Sequence, residues 1–210
     1  MKKYILIILL AAVASQLNAQ VFKPGVILGL NASQVAGDEY GGFRKLGLIA
    51  GGLVNTSIGE DWSTQFELYY IQKGYKKAPQ PDKGDYESFK LHLNYIELPV
   101  LVRYHHESFN FEIGLQVAKL LSYKAYDPYG ETDIIDPQID DWDFGGLVGF
   151  SYQYKERAEF NIRLKSSLIP IRDFENGDAY TWWWDQLFNR GWYNTELNFS
   201  LRWLILKSNG

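Results

Sequence analysis

The chain contains no cysteine among its 210 residues. It therefore has no disulfide framework and no thiolate metal site, and an oxidising compartment would do it no harm. Positive charge is not in excess either: 21 lysines and arginines stand against 25 acidic residues, for a formal net charge of −4. That balance gives no electrostatic footprint for nucleic acid. After Ala19 no apolar run is long enough to cross a bilayer as a helix. Glycine-rich phosphate loops, nucleophile elbows and paired metal-binding histidines are also missing. Neither a cofactor nor a metal is expected.

What is present begins at the amino terminus. Lys2 and Lys3 form a positive leader, Tyr4 to Val13 an apolar core, and Leu17-Asn18-Ala19 a small-residue cleavage site. These three parts predict a secretory signal peptide over residues 1–19 and a mature domain over 20–210. Its removal takes two lysines and moves the net charge from −4 to −6. No cysteine follows the cleavage site, so lipid anchoring is excluded. Any insertion into a membrane would then be by strands.

The mature sequence alternates. From Phe109 the residues Phe111, Ile113, Leu115 and Val117 are apolar, with Asn110, Glu112, Gly114 and Gln116 between them. Trp142 to Tyr154 divides in the same way, and so does the last stretch, with Leu197, Phe199, Leu201 and Trp203 against Glu196, Asn198, Ser200 and Arg202. Side chains alternate across a strand, so each stretch has one greasy and one polar face. Further strands are expected near 22–33, 44–56, 62–75, 91–104 and 159–171, eight in all. The connections after 56, 104 and 154 are tight, whereas those near 34–44, 76–89, 124–141 and 173–191 are long and polar. Outer-membrane barrels sort their turns in this way, short on the periplasmic side and long outside.

Alternation alone would also suit a soluble barrel with its apolar face inward around a ligand. Aromatic residues, 16% of the chain, favour the membrane: Trp62, Tyr70, Tyr104, Phe109, Tyr123, Trp142, Tyr152, Tyr154, Tyr193 and Trp203 fall at strand ends, where girdles form. The predicted fold is all-β: an eight-stranded antiparallel up-and-down transmembrane β-barrel with both termini in the periplasm and no plug or peptidoglycan-binding domain appended. Its inward face would carry Glu67, Glu97, Glu112 and Glu196 with Arg103, Arg163, Lys165 and Arg202. An unpartnered charge in so narrow an interior is costly, so these should pair into a plug rather than line a pore. Pro99 interrupts a strong strand, and a local bulge is expected there.

Particular residues carry a resemblance. Phe66-Glu67-Leu68-Tyr69-Tyr70 running to Lys73-Gly74, then Asn94 to Pro99 ending at Arg103-Tyr104, resemble the small Bacteroidetes outer-membrane barrels of the PorT or "porin family" group. Gly29-Leu30-Asn31 and Phe111 to Leu115 resemble it too. The resemblance implies an integral barrel of the cell outer membrane and, for PorT itself, a link to protein secretion. The carboxyl end departs from the common aromatic terminus, since Leu204 and a polar tail follow Trp203.

Chemistry-bearing groups are sparse. His92, with Ser88 nearest in sequence, is the one base near the outer rim, because His105 and His106 fall in a periplasmic turn. A lipid-modifying enzyme using His92 is therefore an alternative, as is a narrow channel, but no catalytic residue is assigned. The acidic stretch 125–141, with Asp127, Glu131, Asp133, Asp136, Asp140 and Asp141, is read as a solvated loop ahead of a divalent-cation site. Tyr180, Trp182, Trp183, Trp184 and Phe188 form an aromatic loop, suited to the outer girdle or to an interaction platform. The leading expectation is a structural or interaction component of the envelope. Its partners would be outer-membrane lipid and lipopolysaccharide and, through the loops, another envelope or secretion protein.

Overall fold

The computed structural model describes residues 22–36, 42–77, 79, 88–132, 139–155, 157–173 and 191–205. The proposed signal peptide, the carboxyl tail and the aromatic loop with Tyr180, Trp182, Trp183, Trp184 and Phe188 lie outside them. Eight long antiparallel strands close into a ring: β1 (Phe22–Ala36), β2 (Lys45–Ser57), β3 (Trp62–Lys77), β4 (Phe89–His106), β5 (Phe109–Asp127), β7 (Trp142–Tyr154), β8 (Ala158–Ser167) and β10 (Gly191–Leu204). Pairing of β1 with β10, from Gly25↔Leu204 to Ala36↔Tyr193, completes the closure. Two short strands are appended, β6 (Gly130–Thr132) on β5 and β9 (Arg172–Asp173) on β10.

One end of the cylinder is trimmed close. Glu107 and Ser108 alone separate β4 from β5, and Glu107 takes the left-handed conformation (φ 54°) that so tight a reversal demands. Lys155, in the turn between β7 and β8, does the same at φ 56°. The opposite end bears the long connections and both short strands.

Burial is inverted relative to a water-soluble protein. Leu46, Ile113 and Leu115 are 69%, 62% and 64% exposed, whereas Lys73, Glu97 and Glu196 are fully buried. Carbon faces out and charge faces in, the arrangement that hydrocarbon surroundings require. At the close-turned end the outward aromatics touch one another: Trp62 lies 5.0 Å from Tyr104, and Phe109 lies 5.3 Å from Phe150 and 5.4 Å from Tyr152.

Toward the loop end this order reverses. On β4 the outward residues change from Val102, Val100, Leu98 and Ile96 to Asn94, His92 and Lys90, while Tyr95, Leu93 and Leu91 turn inward. With Val35, Tyr75, Ala125, Ile139, Ile171 and Trp192 these form an apolar core inside the projecting end of the cylinder. Tyr75 stacks on Phe89 at 5.4 Å and meets Trp192 edge-on at 6.1 Å. That end is built like a soluble protein, and β4 and β5, of 18 and 19 residues, are longer than the roughly 9–11 residues that a tilted strand needs to span a bilayer.

Two sequence expectations need correction. Pro99 produces no bulge: Phe66↔Val100 and Tyr69↔Glu97 keep one register on either side of it, although the ladder is interrupted opposite Leu98 and Pro99. The bulge lies instead on β5, where Asn94 pairs with Ser122 and Tyr95 with Leu120, leaving Leu121 as the extra residue. It reverses the parity of the rest of β5, so Tyr123 packs against the inner apolar core and does not join an outer girdle.

Candidate functional site

Among the described residues, ionisable groups converge in the lumen. Near the close-turned end, three arginines meet three glutamates. Arg163 donates from Nη1 to Glu67 Oε2 at 2.8 Å and from Nη2 to Oε1 at 3.0 Å, a forked contact, and its Nε reaches Glu112 Oε1 at 2.8 Å. Arg202 bridges Glu112 Oε2 at 3.0 Å and Glu159 Oε1 at 2.7 Å. Arg103 pairs with Glu159 and donates to Gln65 Oε1 at 2.8 Å. Gly149 makes room for this cluster, because a Cβ there would sit 2.5 Å from Glu112 Oε1.

Higher in the cylinder the cations are lysines. Lys73 Nζ lies 2.8 Å from Glu97 Oε2, 2.7 Å from Glu196 Oε1 and 3.1 Å from Asp143 Oδ2. Lys165 pairs with Glu97 and lies 3.0 Å from Glu196 Oε2. Two ammonium groups thus face three carboxylates, and neutral donors supply the remainder. Tyr69 OH donates to Glu97 Oε1 at 2.6 Å, while Ser167 Oγ and Asn194 Nδ2 donate to Asp143 at 2.7 and 2.8 Å.

Both networks cross the bore. Glu67 on β3 meets Arg163 on β8, and Lys73 on β3 meets Asp143 on β7, strands that are not ladder neighbours. Between the networks, Ile27, Ile49 and Asn198 help to line a cavity of about 10 Å³, room for a single water. Every ion pair here is desolvated, so losing one partner would strand a charge in a dry interior. What the arrangement does chemically is to fasten opposite walls together.

The structure brings Glu67, Glu97, Glu112, Glu196, Arg103, Arg163, Lys165 and Arg202 into these two networks. Sequence reasoning missed Lys73, Asp143 and Glu159, which complete them. A signal existed: Lys73 shares the inward parity of Glu67, and Glu159 that of Arg163.

His92 lies in the loop-end part of β4 as the sequence suggested, but the other two histidines do not lie in a turn. His105 and His106 end β4 rather than occupying the turn, and His105 is joined to Ser63 Oγ at 2.7 Å and to Asn110. Ser63 is fully buried and accepts from Asn55 Nδ2 at 3.0 Å, so this group seals the lower bore. His92 packs edge-on against Tyr126 at 5.9 Å. Ser88 precedes it by four positions on nearly extended chain, about 13 Å, too far for a nucleophile and its base.

Three acids of the 125–141 stretch are engaged locally. Asp127 accepts from the amides of Tyr129 and Gly130 at 2.8 and 3.0 Å, Glu131 lies 2.9 Å from Lys124, and Asp141 pairs with Lys119. Asp133 and Asp136 lie outside the described residues.

Comparison with solved structures agrees with this architecture. The chain is similar to Neisserial surface protein A, with a TM-score of 0.53 at 14% identity over 89% of this chain and 99% of that one. It is also similar to Ail, the attachment invasion locus protein of Yersinia pestis solved with the heparin analogue sucrose octasulfate. There the TM-score is 0.49 and the identity 10%, over 88% of this chain and 99% of that one. No curated protein matches the sequence. The profile of the family described as "Outer membrane protein beta-barrel domain" matches residues 15–173, which include all the strands from β1 to β9. The inside-out burial and the closed ring are what membership demands, and the chain belongs to that family of outer-membrane β-barrel proteins.

Proposed function

We propose that this outer-membrane barrel is a sealed cylinder that works through its outer surface, as a structural or interaction component of the envelope, and passes no solute. The observation that carries this reading is the pair of ion networks spanning the bore, with a cavity of about 10 Å³ between them. Opening a path would require breaking several desolvated pairs together, each costing about 3–5 kcal/mol when one partner is lost. The resemblance of Phe66 to Tyr70 and of Asn94 to Arg103 to PorT-type barrels supports an accessory place in protein secretion. Reconstitution in planar bilayers tests the seal. The expected result is a silent membrane, and sustained stepwise conductance by the folded protein would overturn the reading. The secretion role is tested by comparing exported proteins with and without the gene, where an unchanged set removes it.

A further inference from the structure

Where the inward polarity reverses, the outward face reverses with it, and on one flank it becomes a cationic surface. Strand pairing places Gly74, His92 and Lys124 on one rung and Lys76, Lys90 and Tyr126 on the next. A rung below, Gln72, Asn94 and Ser122 stand side by side. The charged residues among these nine outward positions are all cations. We propose that this outer face of β3, β4 and β5 binds the phosphorylated headgroup of an outer-leaflet lipid, with Lys76, Lys90, His92 and Lys124 as its ligands.

Three further observations bear on this. The first is height. Asn94 lies directly beyond the lipid-facing run Val102, Val100, Leu98 and Ile96, and His92 and Lys90 follow it. At about 3.3 Å per residue and a tilt of about 40°, they stand roughly 5–10 Å above the hydrocarbon edge, the depth of the headgroups.

The second is orientation. Had the β4–β5 ladder stayed in step through Leu121, Lys124 would point at Leu91 and Leu93 in the inner core. The bulge turns it outward to stand beside His92.

The third is a fixed polar floor. Tyr70 OH donates to Asn94 Oδ1 at 2.8 Å, Asn94 Nδ2 to Ser122 Oγ at 3.0 Å, and Gln72 Nε2 to Tyr70 OH at 3.2 Å. These groups hold one another in place at the level where acyl chains give way to headgroup. His92 is braced by Tyr126 and lies within electrostatic reach of Lys45 and Lys90, so its surroundings are positive. Glu131 lies 2.9 Å from Lys124, and a stronger anion would displace it from so exposed a pair. Lysines near a membrane surface attract anionic lipid by an amount equal to about fivefold in affinity each.

This inference rests on the outer-membrane orientation, and it fails or holds separately from the sealed bore, which conductance tests. The full-length protein, folded in detergent, is titrated with bis-phosphorylated lipid A, with the same lipid stripped of both phosphates, and with inorganic phosphate. Bound adducts are counted by native mass spectrometry. The phosphorylated lipid is expected to bind at least ~10-fold tighter than the stripped one, and inorganic phosphate alone is expected not to bind. Replacing Lys76, Lys90 and Lys124 together by glutamine should weaken the phosphorylated lipid on the order of a hundredfold. Lys155→Gln, at the close-turned end, should change nothing. Equal binding of the two lipids by the unaltered protein would overturn the proposal whatever the variants do. So would a triple variant that keeps full affinity, and inorganic phosphate bound as tightly as the lipid would remove the lipid from it.

Discussion

The two ends of this cylinder solve opposite problems with one set of strands. In the lower part, solvent is hydrocarbon: Leu98, Val100 and Val102 of β4 face out, and Glu97 and Arg103 face in. In the projecting part, solvent is water: Lys90 and His92 face out, and Leu91 and Leu93 face in. The lower interior is held by directional ion pairs that tie particular strands to one another. Contact among apolar side chains, without such specificity, holds the upper interior. A charge network loses most when one member is removed, whereas an apolar core loses in proportion to the volume removed. The regions should therefore respond to mutation differently.

The largest effect is expected from Glu112→Leu. Glu112 lies 2.8 Å from Arg163, 3.0 Å from Arg202 and 3.5 Å from Arg103, so its loss leaves three guanidiniums short of a partner in the lower bore. A penalty of about 3–5 kcal/mol is expected in urea unfolding of the detergent-folded protein. A loss below about 1 kcal/mol would show that water enters the bore and that the contrast drawn above is false.

Leu91→Ala probes the upper interior, where Leu91 is fully buried. It should cost about 2–4 kcal/mol, since the surrounding core relaxes only in part. Its counterpart is Leu115→Ala on the membrane-facing surface, with Leu115 64% exposed to what would be lipid. Acyl chains fill the space that the smaller side chain leaves, so less than about 1 kcal/mol is expected. Similar losses at both sites would mean that the projecting end is not packed as a core.

Much of this was legible in the sequence, and the reason is the period of two. Eight strands, the tight turns and the inward set from Glu67 to Arg202 follow from alternation, because each face meets a uniform surrounding over most of its length. Alternation carries no measure of height, however. The change on β4 from Ile96 to Asn94 outside, and from Glu97 to Tyr95 inside, breaks the pattern only where the surrounding solvent changes. Lys73 went unassigned for a related reason, since it lies near the top of a strand whose outward face is already turning polar. The bulge at Leu121 has no compositional mark: leucine suits either face, and Pro99 offered a plausible but mistaken place for the irregularity. The ladder on both flanks decides such a matter, and a single strand does not contain it.

The smallest expected effect follows from that bulge. Asn94 pairs with Ser122 and Tyr95 with Leu120, so Leu121 is the residue that is skipped within the β4–β5 ladder. Deleting Leu121 would make those two pairs consecutive and leave every other side chain of β5 on its present face. Its side chain is 55% exposed, so little packing is lost with it. A change of less than about 1 kcal/mol is expected. Deleting Ala118 removes the same number of residues from the strand with a different consequence. Taking up the slack at the bulge would then turn Lys119 inward and Leu120 outward, placing an ammonium group beside Glu97, which Lys73 and Lys165 already engage. Urea unfolding of the two deletions side by side checks the point, with the second expected to be the less stable by about 2 kcal/mol or more. If both behave alike, the faces of β5 are set by something other than ladder register, and the outward turn of Lys124 loses its explanation.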